Sequence, residues 1–261
     1  MKRIAIIGGG NLGTAIAKGL LLSNFCEAEN ITVTKRNTAT LSDLKEKGVN
    51  IYADNKKAVA ENEVIILAIK PFQVKEILEE IKTELTPKHL LISVVTGISI
   101  EEIKNITGND TAVFRAMPNT AIAIRESITC LSSTNATEDQ KNYTEELFGK
   151  LGKTVNIDEK LMNAATVLGA CGTAYAMRYI RANIQGGIEI GFDAATASLI
   201  AAQTVKGAAE LLLTTKTHPE QEIDKVTTPK GCTIAGLNEM EHQGFSSSII
   251  KGIAASHNKI G

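Results

Sequence analysis

The chain has 261 residues and a net charge of −1, long enough for one large domain or two smaller ones with real cores. Its 28 basic side chains are scattered along the chain, which argues against a nucleic-acid surface or a polybasic membrane patch. No apolar run approaches the ~20 residues needed to cross a bilayer, and the first, Ile4–Ile7, is broken at once by three glycines and does not read as a signal peptide. In chain order, strands are predicted at Arg3–Ile7, Asn30–Thr34, Val64–Ile69, Leu90–Val94, Ala112–Met117 and Thr154–Asn156. Helices are predicted between them at Asn11–Ser23, Leu41–Lys47, Phe72–Thr83 and Glu138–Leu151. That alternation predicts an α/β fold, a Rossmann-type doubly wound parallel sheet. The strands are almost wholly Val, Ile, Leu and Ala, as expected when both faces are covered.

Composition shifts at about Asp158. From Leu161 to Thr215 only Arg178, Arg181, Glu189, Asp193, Lys206 and Glu210 are charged, and alanine dominates without strand-like alternation. We therefore expect residues 1–158 to form the nucleotide-binding domain and 159–261 an all-helical one. Helices this apolar should bury themselves against a second copy, as a homodimer or a multiple of dimers. Burial against the first domain of the same chain is the alternative.

Four cysteines (Cys26, Cys130, Cys171, Cys232) lie far apart with no C-x-x-C pair, which argues for reduced thiols in the cytoplasm. The four histidines are equally dispersed, so no metal centre is expected.

Gly8-Gly9-Gly10-Asn11-Leu12-Gly13 fits G-x-G-x-x-G, follows a predicted strand directly and opens a predicted helix. Gly8 permits the tight turn, Gly10 lets the backbone approach a pyrophosphate, and Gly13 allows close helix–strand packing. Asn11 and Leu12 complete the loop. About twenty residues on, an NAD-preferring protein would carry an acid for the ribose 2′-hydroxyl. Here the second strand ends Thr34-Lys35-Arg36-Asn37, and the Arg36 guanidinium suits a 2′-phosphate. The expected cofactor is NADP(H), with NAD(H) bound less tightly. Ala68, Lys70 and Pro71 close the strand that begins at Val64, at the carboxyl end where ligands gather in open α/β sheets.

Near the other end, Val226–Phe245 reads VTTPKGCTIAGLNEMEHQGF. Pro229, Lys230 and Gly231 are turn-formers, Thr228 and Thr233 bracket the turn, and Cys232–Glu241 reads as the first turns of a helix. Such a loop presents free N–H groups and a positive dipole end, a seat for a carboxylate or phosphate.

The segment from His218 to Phe245 resembles the C-terminal signature of the pyrroline-5-carboxylate reductase family. That signature runs His-Pro, a few variable residues, Val-Thr-Ser-Pro-Gly-Gly-Thr-Thr-Ile-Ala-Gly-Leu and a Gly-Phe. The chain keeps Val226, Thr227, Pro229, Gly231, Thr233, Ile234, Ala235, Gly236, Leu237, Gly244 and Phe245, and departs at Thr228, Lys230 and Cys232. Met117-Pro118-Asn119-Thr120 resembles the family's Met-Pro-Asn-Thr-Pro, with Ala121 replacing the last proline. Gly169–Tyr175 aligns with Ser-Gly-Ser-Gly-Pro-Ala-Tyr, substituted at Cys171 and Thr173, and Arg181 and Gln185 stand where acids are common.

The resemblance implies NADPH-dependent reduction of 1-pyrroline-5-carboxylate to proline, the last step of proline biosynthesis, by hydride transfer to the cyclic imine. It further implies that N–H groups around Gly231, Cys232 and Thr233, beside Thr228, hold the substrate carboxylate. The Thr233 hydroxyl would meet the ring nitrogen as the catalytic contact. Asn55 would touch the adenosine ribose, Lys70-Pro71 would line the cofactor crevice, and Met117 and Asn119 would flank the nicotinamide. Read from the residues alone, Asn55 is equally a helix N-cap and Asn119 a turn residue, while a cap is the lesser alternative for Thr233 and compatible with its role. Reduction of a related cyclic imine, or a non-catalytic dinucleotide sensor, are the alternatives. Hydroxyacid dehydrogenases of similar architecture carry a lysine on the first long helix of the second domain, where this chain has Arg178 and Arg181.

Overall fold

The computed structural model describes residues 2–108 and 110–260. Eight strands form one sheet in the order β3-β2-β1-β4-β5-β6-β7-β8. They are β1 (Ile4–Ile7), β2 (Ile31–Thr34), β3 (Asn50–Tyr52), β4 (Val64–Leu67), β5 (Leu90–Ser93), β6 (Ala112–Met117), β7 (Ser127–Thr134) and β8 (Gly152–Asn156). Every neighbouring pair is parallel except β6 and β7, which run antiparallel with Arg115 opposite Ser132. Interior strands such as β1, β4 and β5 are buried at every position, as their unbroken Ile, Val and Leu runs require. From β1 the chain builds outward to β3, then returns to place β4 on β1's other side. That reversal opens a crevice beyond the carboxyl ends of β1 and β4.

Helices α1 (Asn11–Ser23), α2 (Ser42–Glu46), α3 (Asn55–Ala60), α4 (Val74–Ile81), α5 (Ile100–Thr107) and α6 (Glu138–Gly149) cover the sheet. Ile4, Ile6, Ile16, Leu20, Ile66 and Phe148 belong to the core on one face. Ala5, Ile7, Ile65, Leu67, Leu78 and Ile103 belong to the core on the other. Gly19 of α1 lets that helix close on the turn at Thr120–Ile124, since a Cβ there would stand 2.3 Å from the Ile122 carbonyl oxygen. Two strands escape the sequence reading. β3 is only three half-buried residues, and β7 (SITCLSST) dilutes its alternation with hydroxyl side chains. The doubly wound parallel sheet is as expected, with one antiparallel pair added where β7 meets β6.

Packing divides the chain into two compact units, one running to Cys171 and taking in the residues from Lys259 on, the other Gly172–Asn258. The break falls later than the composition shift at Asp158. The short helix α7 (Met162–Ala165) and the π-helical turn Thr166–Cys171 contact β7, and the turn also contacts β6. Glu159 anchors the same stretch: its carboxylate accepts from Ile100 N–H at 2.7 Å and from the buried Arg115 guanidinium at 3.3 Å.

The second unit holds α8 (Gly172–Glu189), α9 (Ala194–Thr215), α10 (Pro219–Lys225), α11 (Cys232–His242) and α12 (Phe245–Ile260). Asp193 caps α9 by accepting from Ala195 and Thr196 N–H, each at 3.0 Å. Tyr175 and Ser256 share a 2.5 Å hydrogen bond, and the Tyr179 and Phe245 rings meet tilted at 54°, with centroids 5.9 Å apart. Yet among the described residues of this unit only Ala197 and Ala201 are buried, while Leu199 is 71% exposed. No helix of the described residues is long and apolar enough to cross a membrane.

Candidate active site

The crevice at the β1/β4 reversal has a volume of about 850 Å³. Gly8, Gly10, Asn11 and Leu12 form its floor, Lys35, Arg36 and Asn55 one end, and Ala68, Lys70 and Pro71 the β4 side. The glycines do three different jobs. Gly8 has φ +111°, and a Cβ there would fall 2.5 Å from the Ala68 carbonyl oxygen. Its N–H donates to Thr34 Oγ1 at 3.2 Å, and Gly9 N–H to the Thr34 carbonyl at 2.6 Å, so the loop is tied to the end of β2. A Cβ on Gly13 would meet the Gly8 carbonyl oxygen at 2.0 Å; this glycine packs α1 against the loop and does not line the crevice. A Cβ on Gly10 would meet nothing within 4 Å and would project into empty space at the start of α1. No side chain caps α1 there. A backbone cradle kept open by glycine, under a positive helix end, fits a dinucleotide's pyrophosphate.

Arg36 sits at the β2 end with its Nη2 3.8 Å from Glu76 Oε1 of α4. Asn55 donates to Glu80 Oε2 at 3.1 Å. The cap of α3 is not Asn55 but Asp54, which accepts from Lys57 N–H at 3.1 Å, so the Asn55 side chain is free of that duty. Lys70 N–H donates to Gln73 Oε1 at 3.2 Å, which pins the Lys70-Pro71 corner. Thr34 and Gln73 also line the crevice, as do Thr96 and Thr120. The sequence reading missed these four because a hydroxyl or amide at a strand end or in a short turn carries no signal until the fold turns it toward a cavity.

Met117 and Asn119 do not line the crevice. Met117 is buried in β6 opposite Cys130. The Asn119 amide is occupied at both ends, its oxygen accepting from Ala121 N–H at 3.0 Å and its nitrogen donating to the Gly169 carbonyl at 3.0 Å. Its own N–H donates to Ser127 Oγ at 3.0 Å. Asn119 therefore shapes the turn that carries Thr120 to the crevice rim.

The C-terminal loop joins α10 to α11. Lys230 adopts the left-handed conformation at φ +59°, where a β-carbon is strained and glycine is not. Gly231, not Thr233, is the N-cap of α11, with no side-chain cap bond; Thr233 stands at the second helical position. The Gly231 N–H is spent within the turn, donating to the Thr228 carbonyl at 2.9 Å. Thr228 Oγ1 would lie 2.5 Å from a Cβ on Gly231, so that residue must stay small. The α11 dipole is thus offered through the N–H groups of Cys232 and Thr233 rather than that of Gly231. Among the described residues no group of three or more His, Cys, Asp or Glu could hold a metal. Thr228–Thr233 and the dinucleotide crevice belong to different compact units.

Comparison with known proteins agrees with both halves of this description. Residues 159–261 match the family model for pyrroline-5-carboxylate reductase dimerisation, and residues 3–97 match that for NADP oxidoreductase, coenzyme F420-dependent. The chain is 47% identical over 268 residues to pyrroline-5-carboxylate reductase 1 of Dictyostelium discoideum, covering 98% of this chain and 49% of that protein. It therefore spans about half the length of that relative. It is 44% identical to pyrroline-5-carboxylate reductase 2 of the same organism, covering 99% of this chain and 92% of the relative. Among solved structures, Plasmodium falciparum pyrroline carboxylate reductase with NADP bound superposes with a TM-score of 0.90 at 27% identity, covering 99% of this chain and 97% of that one. An open glycine cradle at the β1/β4 reversal, a helical unit without a core of its own and near-complete coverage by such relatives lead to one conclusion: the chain belongs to the pyrroline-5-carboxylate reductase family.

Proposed function

We infer that the protein is an NAD(P)H-dependent oxidoreductase that reduces 1-pyrroline-5-carboxylate to proline, preferring NADPH. The observation that carries this is 44% identity to a reductase of that name over 99% of this chain and 92% of the relative. The crevice supports it: the Gly8–Gly13 loop and the α1 N-terminus suit a pyrophosphate, and Arg36 a 2′-phosphate. When bound, the nicotinamide supplies the hydride.

The chain's own residues bind, orient and handle the proton. The N–H groups of Cys232 and Thr233 hold the substrate carboxylate, with Thr228 beside them. The Thr233 hydroxyl meets the ring nitrogen, and because it both donates and accepts it can follow that nitrogen from imine to amine. With hydride supplied by the bound cofactor and a proton on the imine nitrogen the reduction would balance, so the residues would need neither paired carboxylates nor a metal. Lys35, Arg36 and Asn55 take the adenosine end, Ala68, Lys70 and Pro71 frame the nicotinamide end, and Asn119 acts only through the turn that brings Thr120 to the rim.

We read residues 1–158 as the nucleotide-binding domain and 159–261 as the helical domain, which forms a homodimer or a multiple of dimers. The family match over 159–261 and the exposed apolar side chains of α8 to α12 support that division. The four free, dispersed thiols support a cytoplasmic protein. The test is the loss of NADPH absorbance with pyrroline-5-carboxylate, with proline identified as product. Tight NADPH binding without turnover of any cyclic imine would instead make the protein a dinucleotide sensor.

A further inference from the structure

Two side chains at the β2 end of the crevice, Arg36 and Asn55, are each held by a carboxylate from the same helix. Arg36 Nη2 lies 3.8 Å from Glu76 Oε1, with the two side chains 82% and 70% exposed. Asn55 Nδ2 donates to Glu80 Oε2 at 3.1 Å. Glu76 and Glu80 are four residues apart and share one face of α4. Gln73 and Ile77, from the same stretch, line the crevice. The chain leaving β2 reads Thr34-Lys35-Arg36-Asn37 and brings no acid of its own. The carboxylates that reach Arg36 and Asn55 here both come from α4.

We propose that Glu76 is a cofactor-specificity residue: its carboxylate competes with a ribose 2′-phosphate for Arg36 and so sets the ratio of NADPH to NADH affinity. The proposal rests on the reading of this crevice as the NADP(H) site. A phosphate monoester near neutral pH carries about −1.5 to −2 charges. To pair with Arg36 it must enter the range at which Glu76 already holds that guanidinium, and it meets a like charge there. An unphosphorylated ribose meets no such repulsion. The groups are exposed, so the penalty is a matter of several-fold and is screened by salt.

The experiment is direct titration of the full chain with NADPH and with NADH, followed by calorimetry or nucleotide fluorescence, at low and at high salt. Glu76→Gln keeps the size and removes the charge. It should tighten NADPH by roughly three- to tenfold at low salt, the scale of one exposed charge contact. NADH should stay within twofold of wild type, and the gain in NADPH should shrink at high salt. Glu79→Gln makes the same charge change on the same helix at a residue paired with Lys82, and should leave the ratio alone. An unchanged ratio in Glu76→Gln, or an equal change in Glu79→Gln, would overturn the proposal while leaving the crevice as the NADP(H) site. Wild-type protein that binds neither nucleotide would overturn the functional reading and the proposal with it.

Discussion

At the scale of single residues the loop before α11 carries the sharpest consequence. Thr233 stands at the second position of the helix, and the cap belongs to Gly231, so its hydroxyl is not needed as the cap. Thr233→Val should therefore leave the helix in place while taking away the hydroxyl proposed to meet the ring nitrogen. Catalytic efficiency should fall on the order of ten- to a hundredfold, the equivalent of about 1–3 kcal/mol for a buried hydrogen bond left unmade. NADPH binding should be nearly unchanged and Thr233→Ser should retain much of the activity, both readable by steady-state kinetics beside a binding titration. Wild-type turnover and imine affinity in Thr233→Val would remove this residue from the chemistry. The Gly231 N–H is already given to Thr228, so a proline at 231 probes the turn and the space beside Thr228 rather than the carboxylate seat.

At the scale of elements, the glycines of the first loop separate folding from binding. Gly13→Ala drives a Cβ to 2.0 Å from the Gly8 carbonyl oxygen, which α1 can relieve only by lifting from β1. A loss of roughly 1–3 kcal/mol, typical of overpacking, should appear as a lower denaturation midpoint. Gly10→Ala meets open space, so its midpoint should match wild type. Its NADPH affinity should drop by roughly tenfold or more, the worth of one charge-assisted hydrogen bond. If both variants lost stability equally, Gly10 would be structural and the cradle reading would fail.

The start of α5 makes a pH prediction. Backbone and side-chain hydrogen bonds from Ser99 hold the Glu102 carboxyl below its ordinary value of 4.5, and Ser99 Oγ in turn accepts from Glu102 N–H at 3.1 Å. A folded-state pKa lowered in this way stabilises the fold above 4.5 and is lost as pH falls through the lower folded value. Glu102→Ala should thus lower the melting temperature at neutral pH, by an amount that narrows toward zero on strong acidification. A difference independent of pH would mean that helix propensity, not the charge, was at work.

At the scale of the whole molecule, the described residues of the second unit bury almost no core of their own. Leu199, Leu213, Ile190 and Ile250 are more than half exposed, and only two alanines of the described residues there are buried. In the proposed homodimer this apolar surface is what a second copy would cover. Leu199→Glu should lower the assembly mass measured by light scattering, or prevent soluble expression, because a carboxylate buried without a partner is costly. A well-folded wild-type monomer at micromolar concentration would contradict this.

How much of this could be read without the fold depends on how local each requirement is. The G-x-G-x-x-G cradle, the β1 and α1 bounds and the charge-poor helical half follow from neighbours in sequence: a sharp turn needs Gly8, an unbroken apolar run needs two covers, and a helix without a polar face needs a partner. The short edge strand β3 and the hydroxyl-rich β7 left too weak a periodicity to be seen, and β7 runs antiparallel because the connection from Met117 to Ser127 is too short for a crossover. Thr233 and Asn55 lost their capping roles because the caps fell to Gly231 and Asp54, a matter of backbone angles that no residue type announces. Asn119 became a turn-former because Gly169, fifty residues on, stands at its amide. Arg36 was legible as a cation awaiting a phosphate, but the carboxylate that restrains it lies on α4, forty residues away, and only the tertiary structure brings charges so separated within reach of each other.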